Sequence, residues 1–126
     1  MTEDFAIAAG GWDERYAVVL VVVTRGDIAA ALVDPNGDGA DIDLDEYRRG
    51  PDGQWVADNS HGGAGDSGTT WSPHMVATFG RTEPKAEIFV DYHGETHTVT
   101  ANDAGWWLFI TESLDEGTMP GSRSSD

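Results

Sequence analysis

The chain has 126 residues, fewer than the ~150 that one domain commonly takes, and reads as a single domain with one core. Its 7 basic and 23 acidic residues leave a net charge of −16. This excludes an ordinary polyanion binder and an anionic-membrane binder, because phosphate contacts need clustered Lys and Arg. Cysteine is absent, which removes disulfide scaffolds, thiolate zinc sites and cysteine nucleophiles.

The acids do not signal disorder, since 5 Trp, 3 Tyr and 4 Phe are spread along the chain and supply the apolar surface a core needs. Met1-Thr2-Glu3-Asp4 is acidic where a signal peptide requires positive charge, and no long apolar run follows it, so a cytoplasmic location is expected. Residues 16–23, Tyr-Ala-Val-Val-Leu-Val-Val-Val, are β-branched and too short for a typical helix; they read as a strand buried on both faces or lying in the middle of a sheet. Thr24-Arg25-Gly26-Asp27 turns the chain, and Ile28 to Val33 returns as a hairpin partner. Asp34 to Gly39 is a run of turn-forming residues that no regular element crosses.

Asp41-Ile42-Asp43-Leu44-Asp45 alternates with period two. That pattern places Ile42 and Leu44 toward the core and the three carboxylates toward solvent. Gly50 to Gly53 turns again, Gln54 to Ala57 makes a short strand carrying Trp55, and the glycine-rich stretch 58–68 reads as the longest loop. Strands are then expected over Met75 to Phe79, Ala86 to Tyr92, Thr96 to Thr100 and Trp106 to Thr111, with no helix of convincing length. The sum is an all-β fold of about 7–8 short strands, a single antiparallel sandwich of immunoglobulin-like type over residues 5–114, with a small closed barrel as the alternative. Trp55 or Trp71 would be its core tryptophan, and residues 115–126 would form a loose tail.

Three groups of residues bear on chemistry. Asp34, Asn36 and Asp38 put oxygens at positions 1, 3 and 5 of a loop with Gly39 at 6 and Asp41 at 8. This is the start of a calcium loop, although Asp45 stands where an EF-hand would have a bidentate Glu, and a plain turn explains the same residues. In Trp106-Trp107-Leu108-Phe109 alternation sends Trp107 and Phe109 to one face. Buried strand packing is the leading reading of this face; an exposed pair there, extended by Tyr92, Phe89 and Trp12 and joined by the carboxylates of Asp43 and Asp45, would instead suit contact with a basic protein. Gly65-Asp66-Ser67-Gly68 matches the tetrapeptide around a serine-protease nucleophile, but the chain is too short for that fold, and His61 lies in the same loop. His93 and His97, with Asp91 or Glu95, could approach across a tight turn as metal ligands, and Arg25-Gly26-Asp27 is an adhesion triplet that turn geometry already explains.

The second half, Trp71…Met75…Phe79-Gly80…Val90-Asp91-Tyr92-His93-Gly94…His97…Gly105-Trp106-Trp107-Leu108-Phe109, resembles a pattern in small uncharacterised β-sandwich proteins of high-GC bacteria. The resemblance rests on strand and turn residues; it implies the β fold and no activity.

Charge and size together point to a non-enzymatic acidic interaction module for a basic protein, of an inhibitory, immunity-type or nucleic-acid-mimicking kind, without direct nucleic-acid or membrane binding. The alternatives are a calcium-stabilised structural domain using Asp34, Asn36, Asp38 and Asp41, and a small barrel that binds or converts an apolar ligand. No acid–base pair stands out among the carboxylates.

Overall fold

A computed structural model describes residues 1–63 and 65–124. The single domain expected over 5–114 is organised as two compact units, Met1–Gly65 and Asp66–Asp126.

The first unit begins with a helix that the sequence reading missed, α1 (Glu3–Gly10). It is short, and its signals lie at its ends. Thr2 caps it, accepting a bond from the Phe5 amide at 3.1 Å, Glu3 and Asp4 sit in its first turn, and Gly11 closes it in the left-handed region. The strands β1 (Val18–Arg25), β2 (Ile28–Asp34), β3 (Asp43–Arg49) and β4 (Trp55–His61) follow as an antiparallel meander in that order. In such a meander the first strand lies at an edge, so the valine-rich β1 is neither the doubly buried nor the mid-sheet strand expected of it. Val18 is 47% exposed, whereas all seven residues of β2 are buried. Ala29, Ala31 and Val33 of β2 join Ala6 and Tyr47 in one core, with Phe5, Trp12, Val22 and Trp55 packed against it. Small side chains on β2 let the helix lie close to the sheet.

The second unit holds β5 (Gly68–Trp71), β6 (Val76–Arg81), β7 (Glu87–Tyr92), β8 (Glu95–Thr100), β9 (Trp106–Thr111) and β10 (Gly121–Ser124). They form two three-stranded antiparallel sheets, β5-β6-β9 and β10-β7-β8. Ile88 and Val90 of β7 meet Trp107 and Phe109 of β9 in a shared core with Ala101, which makes this unit a small sandwich. Gly80 pairs with Trp107 across β6 and β9, and a Cβ there would fall 2.8 Å from the indole nitrogen, so glycine is what admits the ring.

The fold is thus all-β and antiparallel with one short helix among the described residues, and no sheet closes into a barrel. Within the expected tail, residues 121–124 pair with β7 as β10. Gly, Ser and Arg have little strand preference of their own, and the ladder comes from a distant partner. No helix among the described residues is long and apolar enough to cross a membrane.

Candidate functional site

In the first unit the chain leaves α1 through a tight reversal. Gly11 lies at φ 69°, its amide bonds to the Ala8 carbonyl at 3.2 Å, and the Trp12 amide bonds to the Ile7 carbonyl at 3.0 Å. The reversal folds Trp12 back over the sheet, where its indole Nε1 donates to Asp45 Oδ2 at 2.9 Å. Gly10 makes this approach feasible, since a Cβ at that position would overlap the indole nitrogen. From the facing strand, Ser60, which pairs with Asp45 in the β3–β4 register, donates its hydroxyl to Asp45 Oδ1 at 2.6 Å. Asp45 is only 4% exposed, so two donors replace the water that its carboxylate gave up.

The register of β3 and β4 steps from Glu46↔Asn59 to Tyr47↔Ala57. Asp58 is the extra residue of this bulge, and it is held by Arg48 Nε at 3.2 Å. Between the end of α1 and the bulged strand lies a cavity of about 340 Å³, walled by Gly10, Trp12, Asp45, Asp58, Asn59 and Ser60. A second hollow of about 440 Å³ also touches Trp12 and is rimmed by Asp4 and Glu14. Trp12 therefore divides two depressions that each carry carboxylates, a setting that disfavours anions and favours cations.

Neighbouring acids are held less comfortably. Asp43 is 9% exposed; its burial pushes its carboxyl above the usual range, opposed by a bond from the Gly63 amide and reinforced by the charges of Asp45 and Asp41. Burial, and then the charge of Asp45, also raises the Tyr47 phenol, which donates to the Ala6 carbonyl at 3.5 Å. On the opposite face of β3, Glu46 is wholly buried with Oε2 3.3 Å from His61 Nε2.

Several expected site residues lie elsewhere than the sequence suggested. Asp43 and Asp45 are buried and Asp41 alone of the three is exposed, because helix α1 and the Trp12 reversal cover the face that alternation assigned to solvent. Trp107 and Phe109 are 6% and 4% exposed; they are core residues and offer no contact surface, since β9 is buried on both faces. Trp55 is half-buried beneath Arg49, whose guanidinium carbon lies 4.4 Å from the ring centre, and Trp71 donates to the Asp115 carbonyl at 3.0 Å. The core tryptophans are Trp106 and Trp107.

In the Asp34 loop, Asp34 Oδ1 accepts from the Gly37 amide at 3.0 Å and Oδ2 from the Gly39 amide at 2.8 Å. Asp38 accepts from the Ala40 amide at 3.0 Å, while Asn36 and Asp41 are exposed. These two aspartates brace the turn from within. Among the described residues no three His, Asp or Glu side chains gather as a metal would need. The turn histidines separate: His93 pairs with Asp115 at 3.3 Å and His97 with Glu95 at 3.6 Å.

Sequence reasoning missed Asp58 and Ser60, and it grouped Trp12 with the Trp107 face, whereas the indole bonds to Asp45. The available signal for Trp12 was Gly10-Gly11-Trp12 after Thr2-Glu3-Asp4, a helix-start cap and a C-cap pair followed by an aromatic. Comparison with family models, curated proteins and solved structures found no match to this chain.

Proposed function

We propose that this protein is a non-enzymatic binding module for a basic protein, and that the hollow beside Trp12 receives a lysine or arginine side chain of that partner. The observation that carries the reading is an aromatic wall joined to a buried carboxylate, Trp12 Nε1 to Asp45 Oδ2 at 2.9 Å, in a chain of net charge −16. A cation over an indole is attracted by the ring's negative face, more strongly as water leaves. The two donors on Asp45 hold its carboxylate in place, so little ordering is left for the moment of binding. Asp58, Asp4 and Glu14 at the rims add a field that steers a basic partner inward and rejects acidic ones.

The experiment is a fluorescence titration of the full chain with a synthetic peptide of alternating arginine and glycine, and with its glutamate counterpart. The arginine peptide should alter tryptophan emission and bind more weakly as salt rises. Trp12→Phe should remove most of the signal, and Asp45→Asn should weaken binding by about tenfold, which corresponds to about 1.4 kcal/mol. Equal binding of the two peptides, or indifference to both substitutions, would overturn the reading.

A further inference from the structure

Strand β10 contrasts with the rest of the second unit. Its four residues are all exposed and none belongs to the sandwich core, yet it occupies the edge of β7 in a regular register, with Arg123 opposite Phe89 and Gly121 opposite Asp91. Its most specific grip is the Arg123 side chain. Nε donates to Asp91 Oδ2 at 3.0 Å and Nη2 to Oδ1 at 3.5 Å, while the guanidinium carbon sits 5.0 Å from the Phe89 ring centre.

The receiving half of this contact is built without β10. Phe89 and Asp91 lie on β7, which is paired along its other side with β8, and the Thr96 hydroxyl of β8 donates to Asp91 Oδ1. The chain leading to β10 is fastened independently: the Ser113 hydroxyl bonds to the Ser72 and Pro73 carbonyls, the Leu114 amide to the Tyr92 hydroxyl, and Pro120 is buried. The contacts described for β10, an exposed ion pair, a guanidinium over a ring and a four-residue ladder, are each weak by themselves. Beneath it lies a complete edge with hydrogen-bonding groups, an aromatic ring and an oriented carboxylate.

We infer that the β7 edge is a strand-addition site for an extended basic segment of a partner protein, with an arginine facing Phe89 and Asp91, and that β10 is this chain's own displaceable occupant of it. Main-chain bonds would supply the affinity and the arginine the register. Arginine suits the site better than lysine because a planar fork can both engage the carboxylate twice and lie over a ring. Small residues beside it, as Ser122 and Ser124 are beside Arg123, keep the added strand from clashing. The site shares the cationic preference proposed above but is built from different residues, so either can fail alone.

The test uses the full chain with Arg123→Glu, which sets like charges against each other at Asp91, and a synthetic peptide of residues 117–124 with its Arg→Glu counterpart. Amide hydrogen exchange should show the β7 amides on the β10 side losing protection, while those facing β8 keep it. The arginine peptide should restore that protection and bind the variant at least about tenfold more tightly than the unaltered chain. The glutamate peptide should do neither. Adding Asp91→Asn should abolish the preference for arginine, and Trp12→Phe should leave edge binding unchanged, which separates this site from the hollow. Arg123→Ala repeats the test with a milder change. Unaltered protection of the β7 edge in both variants, or arginine and glutamate peptides that bind alike, would overturn the inference.

Discussion

At the level of single residues, one missing methyl group shapes the site and one buried charge opposes the strand that carries it. Gly10 leaves room for the Trp12 indole beside Asp45, so Gly10→Ala should displace the ring, break that bond and cost about 1–3 kcal/mol, as overpacking usually does. Denaturant unfolding measures the loss, and the Trp12 emission reports the displacement. Asp43 works in the opposite sense to most surface acids. Its folded carboxyl is raised, chiefly by burial, so its contribution is favourable below the unfolded value and is lost as pH rises through the folded one. Asp43→Asn should therefore raise the melting temperature at pH 7, and the gap should close below about pH 4. A constant gap across that range would mean that the charge is not the cause. Asp91 has the contrary sign: Arg123, followed by Thr96, holds it below the usual range, so what it adds above its ordinary value fades as pH falls through its folded one.

At the level of elements, strands were legible wherever a local pattern sufficed. Ile28 to Val33, Ala86 to Tyr92 and Trp106 to Thr111 announce themselves by β-branched or alternating residues between turn signals, and they match β2, β7 and β9 within a residue or two. Helix α1 was hidden because eight residues carry too little periodicity, and β10 because nothing in Gly-Ser-Arg-Ser favours a strand until Asp91 and Phe89 meet it. The site was half legible. Asp45 was visible as an acid on an alternating strand, but its burial depends on Trp12 arriving from a helix 33 positions earlier in the chain. The aromatic strand left two environments open for a related reason: alternation says that Trp107 and Phe109 share a face, and only the strand order says that both faces of β9 are covered, as the buried reading required. Trp107→Ala should accordingly cost about 3–5 kcal/mol, read by chemical denaturation. Binding of the arginine–glycine peptide should be preserved wherever the variant stays folded.

For the molecule as a whole, a net charge of −16 repels itself in the compact state. Sodium chloride should raise the melting temperature by screening. Calcium and magnesium at matched ionic strength should act alike, because both Asp34 oxygens already accept backbone amides. A rise of several degrees with calcium alone would instead assign the Asp34 loop a specific ion. The edge position of β1 adds a cost to screening. Val18 to Val23 is six residues of valine and leucine without a charge, and β2 is the only strand paired with it among the described residues. Such a segment is a template for cross-β stacking between molecules. The surplus of carboxylates then acts as a gatekeeper for the whole solution. The salt that firms each molecule also lets neighbours approach, so the most heat-resistant buffer for this protein should be the one in which it first turns cloudy.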